Sequence, residues 1–131
     1  MTMMARVAMV AALVCGVSSA AFAHHSAAPV FDLDSEKTVT GVVTLVEWTN
    51  PHIWVYLDVQ NASRQVERFA FEGMSPNYLS RRGWTKTSLQ SGAKITVTFR
   101  PLKDGRPGGM FVTGKLEDGK ILTSAGAANI Q

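Results

Sequence analysis

Three histidines, His24, His25 and His52, carry the metal-binding potential of this chain. His24 directly follows Ala21-Phe22-Ala23, so cleavage after Ala23 would make it a new N-terminus. Its α-amine and ring Nδ1 could then chelate one ion in a single ring. A free α-amine has a pKa of about 7.7–8.0, and a metal competes successfully with its proton. A second imidazole in a T-shaped arrangement makes a histidine brace, which suits Cu(II) by geometry and by the affinity order of divalent metals. His52, or His25 beside it in sequence, would supply that ring. Zinc also accepts imidazole, and Met74 or Met110 would favour Cu(I) if either lay close. No fixed local spacing such as His-x-x-x-His is present. The plain alternative has His52 hydrogen-bonding the Asn50-Pro51 turn.

A second group of residues suggests a surface. Strict alternation along the chain puts Trp48, Trp54 and Tyr56 on the outer side of a sheet, together with Arg68 and Glu72. Aromatic platforms bind by stacking, and a small barrel of the OB type uses such a face for oligosaccharides and oligonucleotides, while a partner protein or glycan is the ligand expected here. The alternative is that Trp48 and Trp54 cover each other as a cross-strand pair, or pack under an N-terminal arm around Phe31. Glu72 near Arg68 reads as a structural ion pair. Glu47 and Glu72 are also the candidate carboxylate pair for acid–base chemistry, but no nucleophile or cofactor motif accompanies them. No enzymatic activity is expected. Arg81-Arg82 could meet anionic lipid or a partner's acids, though a solvated helix end explains them more simply.

These residues must be positioned by a mainly β body. Residues 38–48 (TVTGVVTLVEW) are rich in β-branched side chains, with Gly41 where a strand can bend. After the Asn50-Pro51 turn, residues 52–59 (HIWVYLDV) alternate, with Ile53, Val55, Leu57 and Val59 inward. Residues 66–72 form a third strand with Phe69 and Phe71 as its inward pair. Ser75 caps a helix of about two turns, Pro76 suits its first position and Gly83 stops it. Trp84 anchors the exit. Residues 94–100 (KITVTFR) follow, then a flexible glycine-rich loop over residues 103–109. Strands at residues 110–116 and 120–123 are joined by a two-residue turn at Asp118-Gly119. Three strands, a short helix and two or three more strands match an OB-fold-like barrel of five to six strands, in which the helix plugs one end.

The amino-terminal segment reads differently. Arg6 is its only charge, an apolar run follows over residues 7–17, and a small-x-small exit ends it at Ala23. That is the pattern of a secretory signal peptide over residues 1–23, too short in its apolar part for a spanning helix. The expected layout is that signal, an arm over residues 24–36, the barrel over residues 37–123 and a frayed tail over residues 124–131. The expected location is periplasmic or secreted, with no integral membrane segment after cleavage. Cys15, the sole cysteine, falls inside the signal. The mature chain thus has no thiol for a disulfide or a thiolate metal site, and its stability must come from the core. Across all 131 residues, 46% are hydrophobic and 18% charged, so the body is globular rather than disordered. Thirteen Lys and Arg against ten Asp and Glu is too mild a balance to suggest nucleic acid as a partner.

Several stretches together carry a resemblance. His24-His25-Ser26, the run VEWTNPHIW at residues 46–54, Phe71-Glu72-Gly73 with Ser75-Pro76-Asn77, and RRGWT at residues 81–85 resemble a bacterial domain-of-unknown-function family of small exported proteins. The resemblance covers nearly the whole mature chain. It implies an exported single-domain β-barrel and brings no activity with it. The loop at residues 105–109 departs from the pattern in being shorter and richer in glycine. The functional expectation is an envelope binding protein, its ligand either copper (or another divalent metal) or a protein or glycan partner.

Overall fold

The computed structural model of the protein describes residues 27–124. Six strands and one helix follow in the order β1 (Lys37–Glu47), β2 (Trp54–Gln60), β3 (Val66–Glu72), α1 (Pro76–Ser80), β4 (Lys94–Pro101), β5 (Gly108–Leu116) and β6 (Ile121–Thr123). Antiparallel pairing joins β3 to β2, β2 to β1, β1 to β4 and β4 to β5. A parallel pairing of Ala70–Glu72 in β3 with Gly108–Met110 in β5 closes the five strands into a barrel, and β6 extends it beside β5. This is the OB-fold-like barrel expected from the element order. No helix among the described residues is long and apolar enough to cross a membrane.

The first strand serves two neighbours. Lys37–Val42 pair with β4 and Val42–Glu47 with β2. The handover needs a bare backbone at Gly41, because a Cβ there would meet the Asp58 carbonyl oxygen at 2.5 Å. Just beyond it, the register against β2 slips between Val43 and Leu45. A slip of one residue exchanges the two faces of a strand. Val43 is buried opposite Leu57, whereas Leu45 is exposed opposite Tyr56. Glu47 therefore faces outward, and Trp48 packs against the core cluster. Strict alternation placed Trp48 outward, and the bulge corrects that reading.

The barrel interior is a run of aromatics. Phe71 packs on Phe99 at 5.0 Å between ring centroids and meets Phe111 edge-on at 6.4 Å. Phe69 sits at the partly exposed end of the same cluster. Full burial of one such ring contributes about 1.5–3 kcal/mol. The opposite end is plugged by α1 and the segment behind it. Ser75 accepts the Tyr78 N–H at its side-chain oxygen, and Pro76 sits at the start of the helix, which runs only five residues rather than two full turns. Leu79, Trp84 and Leu89 are buried in the core, and the Trp84 indole donates to the Thr123 carbonyl at 2.9 Å.

Four further boundaries differ from the sequence reading. His52 lies in the turn before β2, which begins at Trp54. Gly108 and Gly109 belong to β5 and not to a flexible loop. The last hairpin has three loop residues, 117–119, since Lys115 pairs with Ile121 and only Gly119 there has positive φ. Ser124, assigned to a frayed tail, is buried, and its hydroxyl accepts the Met74 N–H at 3.0 Å. The arm is docked too: Phe31 is buried, bridges to Leu102, and is flanked by Asp32 N–H to the Pro101 carbonyl at 2.9 Å.

Closure depends on glycine. At Gly108, φ is +128° and a Cβ would stand 2.0 Å from the Ala70 carbonyl oxygen. Gly108→Ala is expected to cost about 3 kcal/mol, combining overpacking against rigid backbone with the positive φ. Gly105→Ala, where nothing lies within 4 Å of the added Cβ, is expected to cost about 1 kcal/mol. Urea unfolding of the two variants checks the contrast, and equal losses would contradict it.

Candidate functional site

The outer face of β1, β2 and β3 collects most of the candidate residues. Because paired residues on neighbouring strands share a face, the register defines rows across it. One row runs Glu47, Trp54, Glu72 and, through the parallel pairing, Met110. The next runs Leu45, Tyr56 and Ala70, and a third pairs Asp58 with Arg68. Trp54 and Tyr56 lie two residues apart on β2 with ring centroids 6.4 Å apart and planes within 23° of parallel.

His52 is brought to this face by backbone bonds just before β2. The Ile53 N–H donates to the Met74 carbonyl at 3.1 Å, and the Gly73 N–H donates to the Ile53 carbonyl at 2.9 Å. These continue the β2–β3 ladder past its formal end and set His52 beside Glu72. Gly73 is tight here, since a Cβ would meet Ile53 at 2.6 Å. His52 Nδ1 contacts the Glu72 carboxylate directly, with both side chains partly exposed. In a neutral imidazole whose Nδ1–H is held by the carboxylate, Nε2 keeps its lone pair for a metal or a proton.

That contact corrects one expectation. Glu72 pairs with His52, while the Arg68 guanidinium lies 3.3 Å from Asp58. Alternation put Arg68 and Glu72 on one face correctly, but they are four residues apart on β3, too distant along a strand to meet. Glu47 accepts the Tyr56 hydroxyl at 3.2 Å. Burial, followed by this bond and the Glu47 charge, holds the Tyr56 hydroxyl above the ordinary tyrosine pKa of 10.0. Met74 packs against the core, whereas Met110 stands in register with Glu72. Arg82 lies over the Tyr78 ring at 4.2 Å, a cation–π contact at the helix end.

Beside the first row lies a cleft of about 320 Å³ lined by Val30, Phe31, Trp54, Glu72, Arg106 and Pro107, among others. The docked arm and the β4–β5 loop form its far wall. The arm around Phe31 reaches Trp54 as one of the sequence alternatives had it, through its bonds to Pro101, Leu102 and Lys103, whereas the loop reaches it through the β3–β5 pairing and was not legible from local sequence. His24 and His25 lie outside the described residues. Among the described residues no group of three His, Cys, Asp or Glu side chains converges as a metal site.

Residues 11–111 match the model of a family described as a family of unknown function, DUF6152. The chain belongs to that family. No curated protein and no solved structure matches it. The match takes in residues 46–54 and 81–85 and brings no function with it.

The Tyr56–Glu47 contact yields a measurable consequence. With Tyr78→Phe as background, Glu47→Gln is expected to lower the Tyr56 pKa by removing the negative charge that opposes tyrosinate. The raised folded-state value implies stability that is present below pH about 10 and declines as pH rises through the Tyr56 pKa. Tyrosinate absorbance against pH reads the shift directly, and an unchanged curve would show that Glu47 does not reach the hydroxyl in solution.

Proposed function

We propose that this DUF6152 protein is an exported, non-enzymatic binding protein of the periplasm or cell exterior whose ligand is a divalent metal, copper first. The His24 α-amine and ring would hold the ion, with His52 or His25 as the second imidazole. The observation that carries this reading is the contact of His52 Nδ1 with Glu72. Imidazoles that ligate metals generally donate their other N–H to a carboxylate or carbonyl, which fixes the tautomer and aims the free nitrogen. Met110 in register with Glu72 adds a thioether to the same row, a donor type that suits Cu(I).

The arm supports the same reading through chain length. Val30 and Phe31 line the cleft that Trp54 and Glu72 also line. Residues 27–31 close a turn, with the Val30 and Phe31 N–H groups both donating to the Ala27 carbonyl, so the stretch from His24 to Ala27 adds up to roughly 10 Å of reach when extended. A brace that uses His52 would draw on that reach with Phe31 still docked.

Protein beginning at His24 is expected to bind Cu(II), and a form with one extra residue before His24 to bind far more weakly. Glu72→Gln should weaken binding about 10–100-fold. Calorimetry on the two forms, with intact mass and metal content of the exported protein, tests both the terminus and the occupant. Equal affinity with and without the extra residue would remove the brace.

A second reading is favoured by the Trp54–Tyr56 pair on a partly exposed barrel face next to a cleft. In an OB-fold the faces of the second and third strands are where extended ligands dock. The protein would then be an envelope interaction module for a partner protein or a glycan, with Trp48 contributing to the core beneath the face rather than to the contact. Trp54→Ala is expected to leave thermal unfolding unchanged and to abolish capture of the partner from envelope extract. Undiminished capture would count against it.

A further inference from the structure

The outer row of the barrel has a one-sided hydrogen-bonding character. Trp54 has Glu47 as its register partner on β1 and Glu72 on β3. Directly opposed side chains on neighbouring strands stand roughly 5 Å apart at Cβ, so a carboxylate flanks the indole on either side. The neighbouring donors are partly committed, the Arg68 and Arg106 guanidiniums each through Nε alone. The Tyr56 hydroxyl donates to Glu47, His52 Nδ1 is engaged by Glu72, and the Arg68 guanidinium by Asp58. Arg106, across the cleft, is held by Asp104 at 2.7 Å.

What the row has to spare, apart from the indole N–H of Trp54, is acceptor capacity and a π surface. An ionised carboxylate accepts about four hydrogen bonds, and Glu47 and Glu72 each have one described partner. A glycan would ask for donors and acceptors in similar number, and an anion would ask for donors. A cation with several N–H groups asks for what is present. Next to the row, Val30, Phe31 and Pro107 give the cleft apolar walls that suit a methylene stem. Guanidinium matches better than ammonium, because it is planar, stacks on indole and donates to a carboxylate through two N–H groups.

We propose that this row receives an arginine side chain of a partner polypeptide. Its guanidinium lies over Trp54 and donates to Glu47 and Glu72, and its stem runs along Phe31 and Pro107. The inference rests on the second reading above, that this face docks a partner, and it names the chemistry the face recognises.

The test follows the indole N–H resonance of Trp54 in the otherwise unmodified protein, with a chelator present so that metal plays no part. The probe is a blocked hexapeptide of glycine and serine carrying one arginine, compared with the same peptide carrying citrulline. The arginine peptide is expected to give a saturable shift, and the citrulline peptide to bind at least about tenfold more weakly, since a charge-assisted pair is lost. Glu47→Gln and Glu72→Gln should each weaken the arginine peptide about three- to tenfold, with thermal unfolding unchanged. Equal binding of the two peptides, or no shift with either, overturns the proposal. A shift with a chitooligosaccharide but not with the arginine peptide overturns it as well, while leaving the face as a docking site. Loss of capture in Trp54→Ala, measured separately, reports on that broader reading.

Discussion

The parallel contact between β3 and β5 is the constraint on which the remaining architecture depends. Only three residue pairs make it, Ala70 with Gly108, Phe71 with Gly109 and Glu72 with Met110. The β3 and β5 backbones approach so closely that a Cβ at Gly108 would stand 2.0 Å from the Ala70 carbonyl oxygen, while Gly109 is crowded to the same degree by Arg100 of β4 on the other side. Without this contact β3 would be an open edge with unpaired N–H and C=O groups, and the sheet would have no reason to curl around Phe71, Phe99 and Phe111. Closure also carries the outer row from Glu72 on to Met110, and it brings the loop bearing Arg106 and Pro107 against Trp54.

The site is held from behind by elements that contribute no side chain to it. Ile53, the residue after His52, is bonded through its backbone to Gly73 and Met74, and Met74 is bonded in turn to the Ser124 hydroxyl. Ser124 is buried and its own N–H donates to Val112 at 2.9 Å. The end of β6 thus fixes the chain just past Glu72, and the Trp84 indole ties the same strand to the segment that plugs the barrel. Each polar group in this chain of contacts has its partner, which gives a turn-borne histidine a defined place beside a strand-borne glutamate.

The two proposed roles, metal binding and peptide docking, would draw on overlapping groups for different reasons. For the first, Glu72 would hold one nitrogen of His52 and leave the other as a lone-pair donor. For the second, it would offer the lone pairs that His52 does not use. Trp54 and Glu47 would matter only to docking, and the histidines only to metal.

Much of the barrel was legible in the residues themselves. Alternation in residues 53–59, the Ser75-Pro76 helix start and the glycine stop at Gly83 are local signals, because strand period, capping and positive φ are set within a few residues. So was the shared outer face of Trp54, Tyr56, Arg68 and Glu72. The misplacement of Trp48 arose from a register slip between Val43 and Leu45, which depends on how β1 is gripped by two neighbours at once; Gly41 marked a bend or bulge nearby but not the residue at which the faces exchange. The glycines read as loop punctuation at positions 108 and 109 are strand residues, for the same reason: what excludes a side chain there is the backbone of β3 and β4, 30 to 40 residues away for β3 and nearer for β4. Which residues face outward along one strand was decided by the sequence alone. Which strand lies beside it, and hence that Glu72 meets His52 rather than Arg68, was decided only by tertiary structure, since pairing joins residues that no local pattern relates.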